Sequence, residues 1–288
     1  IYKNVSTNKH INYNKEGYFE DIFYIDSFVD AATSKPYVIF VERREDHTLI
    51  VLLDLDDDKW LDCKIPQQLL VKSIVVNLAL KAFFILTDID KVEEQYIYVW
   101  SMQKRKVVSK LPLKHHYERM DMHPTKPRML LLFSAGFVKL FEFKPQNRNL
   151  AEKINYLHNV SSKNEHYIDY CWVLLKSGCY LILLTNNNSF TIFLDDKFLK
   201  RLRIDLTSIS FSRLGIDRNT KRLDDVFELH QDEEGGGRLA DAKISRLIGQ
   251  DKGFLFATDN LHFCYCKIHN SQVDSQSNNH IYVVQGYY

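Results

Sequence analysis

"YERMDMHPTKPRMLLLFSAGFVKLFEFKPQNRNLAEKINYL", residues 117–157, decides the fold. It divides into four strand-length segments, "YERMDMHP", "PRMLLLFS", "GFVKLFEF" and "NLAEKINYL". The run "MLLLF" is apolar throughout and too short for a helix, as expected of a strand covered on both faces. "GFVKLFEF" sets Phe137, Lys139, Phe141 and Phe143 against Val138, Leu140 and Glu142. That alternation is the mark of a strand with one wet face.

The unit recurs. "VKSIVVN", "AFFILTD", "QYIYVWSM" and "KVVSKLPL" precede it, and "YIDYCWVLL", "CYLILLT", "SFTIFLDD" and "FLKRLRIDL" follow. An earlier copy reads "FVDAA", "YVIFVER", "TLIVLLDL", "KWLDCKI", and a later one "KISRLIGQ", "GFLFATD", "LHFCYCKI", "IYVVQGYY". Leu55, Trp100, Phe141 and Phe193 close the third segments, at steps of 45, 41 and 52 residues. A four-stranded propeller blade takes about 40–45 residues. The expectation is therefore an all-β chain, a β-propeller region over residues 1–288 with about five four-stranded blades. They lie near 28–66, 70–113, 117–157, 167–206 and 243–288, with a polar insertion at 207–241. A β-sandwich would not repeat at this period. An α/β fold needs long amphipathic helices between strands, and none is visible. The chain begins at Ile1 rather than Met, and it reads as a piece of a longer protein.

Composition is that of an ordinary globular protein, 45% hydrophobic and 26% charged. A net charge of +1 offers no field for nucleic acid or acidic lipid. No apolar run approaches the roughly 20 residues of a membrane-spanning helix. Cys63, Cys171, Cys179, Cys264 and Cys266 form no C-x-x-C pair, and buried reduced thiols of a cytosolic protein are expected.

Motifs for chemistry are sparse. There is no G-x-S-x-G, no Gly-rich phosphate loop and no H-E-x-x-H, so no enzyme, cofactor or metal is expected. His115 and His116 diverge on a strand and His123 lies apart, short of the converging ligands a zinc site needs. "LDLDDDKW" lacks the Gly and Glu of a calcium loop and reads as a solvated strand end. The turn "QKRK" presents Lys104, Arg105 and Lys106 to an anionic partner; a solvated hairpin turn is the plainer alternative. Inside the insertion, "LDDVFELHQDEEGGG" places Leu223 and Phe227 on one face if a helix forms, with Leu229 beside them. Phe227 and Leu229 are candidate partner contacts, against the alternative of a disordered loop.

"MDMHP…MLLLFSAGFVKLFEF" resembles the core of a WD repeat, with His123-Pro124 in the usual turn. Trp100-Ser101 stands where such repeats carry Trp-Asp, so the hydrogen bonds that dipeptide supports are missing. The order of "QYIYVWSMQKRKVVSKL", "MDMHPTKPRMLLLFSAGFVKLFEF", "YIDYCWVLLKSGCYLILLTNNNSFTIFLDD" and "DKGFLFATDNLHFCYCKI" is similar to the amino-terminal propellers of cilia- and flagella-associated WD-repeat proteins. Trp172, Phe193, Lys252, Gly253 and Phe254 follow that order, while "LLTNNNS" replaces the usual Gly-Thr turn. The resemblance spans about residues 28–268. It implies a non-catalytic scaffold of the cytoplasmic cytoskeleton, in the axoneme of a cilium or flagellum. The implied partners are inner dynein arm subunits, doublet microtubule-associated proteins and sibling WD-repeat proteins, with tubulin a further candidate. The alternatives are an adaptor propeller of a ubiquitin ligase or vesicle coat, and an enzyme using a propeller funnel.

Overall fold

Every regular element among the described residues is a β-strand. The structure, a computed structural model, describes residues 2–4, 9–11, 22–30, 33–57, 59–88, 94–146, 149–153, 158–159, 164–195, 197–203, 211–212, 242–250, 252–259, 263–270 and 279–287. The chain divides into two units, Ile1–Phe133 with Lys139–Lys153, and Ser134–Val138 with Ile154–Tyr288.

In the first unit, β1 (Tyr2–Asn4) and β2 (Lys9–Ile11) pair by themselves. Three four-stranded meanders follow. The first is β3 (Ile22–Val29), β4 (Pro36–Arg43), β5 (Thr48–Asp54) and β6 (Lys59–Ile65). The second is β7 (Val71–Asn77), β8 (Ala82–Thr87), β9 (Gln95–Ser101) and β10 (Lys106–Leu113). The third is β11 (Arg119–Met122), β12 (Met129–Phe133), β13 (Phe137–Lys144) and β14 (Asn149–Glu152). In the second unit β15 (His158–Asn159) pairs with Phe137 and Val138. It is followed by β16 (Tyr167–Leu175), β17 (Gly178–Thr185), β18 (Ser189–Leu194) and β19 (Lys197–Arg203). Last come β20 (Phe211–Ser212), β21 (Ile244–Gln250), β22 (Gly253–Thr258), β23 (Phe263–Asn270) and β24 (Asn279–Tyr287), in the order β20-β24-β23-β22-β21.

The continuous apolar runs are the second strands of their sheets, β8, β12 and β17, and they are buried along their length. A strand covered on both faces must be apolar on both. Between the first two sheets, Ile39, Val41, Ile50, Leu52 and Cys63 pack on Ile74, Phe83, Ile85, Tyr98 and Trp100. Phe83 and Trp100 meet edge to face with centroids 5.5 Å apart. In the second unit Phe190 of β18 meets Phe254 and Phe256 of β22 at 5.1 and 5.9 Å.

At three junctions polar side chains clip one sheet to the next, and they do so at a repeated position. Thr48, the first residue of β5, donates to the Gln67 carbonyl (3.0 Å) and accepts from the Leu69 amide (2.7 Å). Gln95, the first of β9, donates to the Tyr117 carbonyl and accepts from the Tyr117 amide, both at 2.8 Å. Asn188, just before β18, donates to the Ala242 carbonyl (3.0 Å) and accepts from the Ile244 amide (2.9 Å). Ahead of β13 the backbone itself does this, the Ala135 carbonyl accepting from the Tyr167 amide at 2.7 Å. A second set joins the first strands. The Tyr24 hydroxyl accepts from the Ile74 amide (3.4 Å), Ser73 donates to the Met120 carbonyl (3.3 Å), and Asp169 accepts from the Leu247 amide (2.8 Å). Buried amides at sheet junctions must find partners, and here they find them without a Trp-Asp pair.

Several details depart from the sequence reading. The first sheet opens with "IFYIDSFV" (Ile22–Val29), not "FVDAA". The chain reverses after Val29 because the Asp30 carboxylate accepts from the Thr33 amide (3.0 Å) and hydroxyl (2.6 Å), with Ser34 at φ 57°. Lys139 is not on a wet face: it is buried and its ammonium lies 2.7 Å from Glu152 of β14. In "NLAEKINYL" Asn149–Glu152 form β14, residues 154–157 lie outside the described residues, and β15 adds separately to β13. Phe211 and Ser212 of the expected insertion add a short parallel strand to β24, filling a sheet edge. Trp100 is buried as expected, but its indole N–H has no hydrogen-bond partner among the described residues.

Candidate functional site

The two ends of β9 carry different chemistry. At its end, Gln103, Lys104 and Arg105 form the hairpin turn and Lys106 opens β10, all four exposed. The Ser101 hydroxyl accepts from the Lys104 amide at 3.2 Å, and Arg105 holds the left-handed position at φ 50°. Lys81 adopts the same φ of 50° in the β7–β8 turn, so the backbone does not single out Arg105. Phe227 and Leu229, the other expected contacts, lie outside the described residues.

At the start of β9 a cavity of about 320 Å³ opens where residues 67–70 meet Thr87, Asp88 and Glu94. The meeting is fixed by the Asp88 amide, which donates to the Leu70 carbonyl at 2.5 Å. Tyr96 and Tyr98 alternate on β9 and share one face, with ring centroids 6.1 Å apart. Each ring is held. Gln67 donates its side-chain amide to the Tyr98 hydroxyl at 2.6 Å, and the Tyr96 hydroxyl donates to Glu94. Thr87 accepts from the Tyr96 amide at 3.0 Å, fixing the backbone beneath.

Lys110, across the ladder from Tyr98, lays its ammonium 3.9 Å from the Tyr96 centroid and 5.3 Å from that of Tyr98. Its hydrogen bond to Tyr98 is the main cause that holds the Lys110 pKa above the ordinary lysine range. The hydrogen bond to Glu94 raises the Tyr96 phenol in turn. At the rim, Asp88 lies 3.5 Å from the Lys72 ammonium and 3.6 Å from His116 Nε2. The sequence showed the shared face of Tyr96 and Tyr98. It gave no sign that Gln67 and Lys110, from separate segments, would meet them.

All five cysteines are free and buried; burial pushes the Cys264 thiol up to about 12 and raises Cys63, Cys171 and Cys266 as well. Such thiols are poor nucleophiles. His123 is buried in its turn, accepting from the Thr125 amide at 3.2 Å. Among the described residues no three His, Cys, Asp or Glu side chains group to hold a metal ion. No helix among them is long and apolar enough to cross a membrane.

Known structures match this arrangement of sheets. The β-propeller domain of Myceliophteria thermophila Cps50 (Swd1) aligns with a TM-score of 0.52 at 9% identity, over 86% of this chain and 68% of that one. A functionally unknown protein from Desulfotomaculum acetoxidans aligns with a TM-score of 0.56 at 8% identity, over 92% and 69%. The chain is thus a β-propeller with about five blades. No protein-family model and no curated protein sequence matches it.

Proposed function

We propose that the chain is a non-catalytic scaffold, a propeller whose sheets hold one another rigid while turns and connections bind protein. The observation that carries this is the distribution of polar groups. Those buried between sheets are spent on clips such as Thr48, Gln95 and Asn188, and the cavity by Tyr96 and Tyr98 lies among connections. Loops on a rigid frame are where binding concentrates. The finer reading is an axonemal role in a cilium or flagellum, helping to tether inner dynein arms to doublet microtubules. Its support is the order of segments from "QYIYVWSMQKRKVV" to "DKGFLFATDN", with the basic turn Lys104–Lys106 exposed toward acidic partners such as tubulin tails.

The test is fractionation of isolated cilia. The protein should stay with detergent-extracted axonemes and leave them only in high salt. A pool freed wholly by detergent, with normal motility after loss of the protein, would overturn the axonemal reading and leave an adaptor of another assembly.

A further inference from the structure

We propose that the cavity bounded by Tyr96 and Tyr98 is a receptor for a lysine or arginine side chain of a partner protein. In this site Lys110 acts as an intramolecular stand-in for the partner's cation. The inference rests on the scaffold reading and names the chemistry of one partner contact.

Three observations converge. The wall is two tyrosine faces, and the face of an aromatic ring is its electron-rich side. An ammonium already lies on it: Lys110 sits 3.9 Å from the Tyr96 centroid, within the distance of a cation–π contact. The charge around the cavity favours a cation too. Among the described residues Asp88, Glu94 and Lys110 line it and Lys72 stands at the rim 3.5 Å from Asp88, so these charges balance with Lys110 in place and are net negative without it. An incoming anion would meet two carboxylates and the negative ring faces.

The site is also built rather than incidental. Tyr98 is only 4% exposed and its hydroxyl is pinned by Gln67. The Tyr96 hydroxyl keeps its proton and donates a hydrogen bond to Glu94, which leaves the ring somewhat richer in electrons. Rings fixed in advance lose little freedom on binding. Lys110, by contrast, is an exposed residue at the end of a flexible stem, on the outer strand of its sheet. Leaving for water costs it the Tyr98 hydrogen bond and the ring contact, which an incoming cation would replace. At about 320 Å³ the cavity is at the small end of ligand pockets, which suits one side chain rather than a cofactor.

The experiment uses the full chain and three acetylated, amidated pentapeptides: Gly-Gly-Lys-Gly-Gly and its norleucine and glutamate counterparts. Binding is followed by NMR on labelled protein. The Lys peptide should bind wild type weakly. Lys110→Ala should bind it about tenfold tighter, since the resident competitor is gone. Adding Tyr96→Leu to Lys110→Ala should abolish the gain, whereas Tyr96→Phe, which keeps a ring face, should retain most of it. Unchanged peak dispersion establishes that each variant is folded. Equal binding of the lysine and norleucine peptides to Lys110→Ala overturns the proposal, as does preference for the glutamate peptide or a gain that survives Tyr96→Leu. Because the probes are small peptides, failure here leaves the axonemal fractionation result standing on its own.

Discussion

Asn188 offers the sharpest test of how the sheets are joined. It occupies a left-handed backbone position (φ 59°), donates to the Ala242 carbonyl at 3.0 Å and accepts from the Ile244 amide at 2.9 Å. Three substitutions separate these roles. Asn188→Gly keeps the backbone at ease but loses both hydrogen bonds, each worth about 1 kcal/mol net, for a loss of about 2 kcal/mol. Asn188→Ala loses the same bonds and must hold a Cβ in the left-handed region, about 1 kcal/mol more. Asn188→Asp keeps the acceptor for Ile244 but sets a carboxylate against the Ala242 carbonyl, so it should fall between wild type and Gly. Urea unfolding gives the ranking, and hydrogen exchange gives the place: the Ile244 amide should lose protection before amides of β17. If Ala and Gly both cost less than about 0.5 kcal/mol, the side chain does not join the sheets. If they cost the same, the left-handed turn carries no strain for Ala, and the account of the "NNNS" turn is wrong.

Gly249→Ala should cost at least about 2 kcal/mol, because its Cβ would stand 2.0 Å from the Trp172 backbone oxygen, and backbone cannot swing aside; a melting curve that matches wild type would refute the close approach. Trp100→Ala should cost about 3–5 kcal/mol in urea unfolding, the range for a buried aromatic. Trp100→Phe should cost far less, because the lost indole N–H makes no hydrogen bond among the described residues. Asp54 predicts a pH dependence. Desolvation is the largest single influence on its carboxyl and raises the pKa, yet the amides of Asp57 and Asp56 and the Lys35 ammonium together bring it below the usual carboxylate value. A depressed folded pKa stabilises the fold above the unfolded pKa, and the stabilisation fades as pH falls through the folded one. Asp54→Asn should therefore be less stable than wild type at neutral pH, with the gap closing in acid; a gap that persists in acid would mean that the charge is not what matters.

What could be read from the sequence, and what could not, divides along a physical line. "FFILT", "MLLLF" and "YLILLT" were legible as central strands because burial on two faces leaves a local mark in composition. "IFYIDSFV" was passed over because the edge strand β3 mixes exposed Ile25 and Val29 with inward Phe23 and Tyr24, and no clean period survives. Lys139 broke the alternation rule since its charge is answered by Glu152 from the next strand. The candidate site was half visible: Tyr96 and Tyr98 share a face by period alone, but Gln67 lies 31 residues from Tyr98. The clips were hidden for the same reason, since their partners lie 19 to 56 residues away.

They nevertheless leave a trace that points beyond the repeat itself. A polar residue stands at the entrance to an apolar third strand in "HTLIVLL", "EQYIYVW" and "NSFTIFL", and there Thr48, Gln95 and Asn188 reach the next sheet. In "SAGFVKLF" the corresponding reach is made by the Ala135 carbonyl. A junction needs its amide satisfied, and either a side chain or a bent backbone can do it. That freedom is why the Trp-Asp pair is dispensable here: what recurs is the position of the hydrogen bond, and the residue that makes it is free to change from blade to blade.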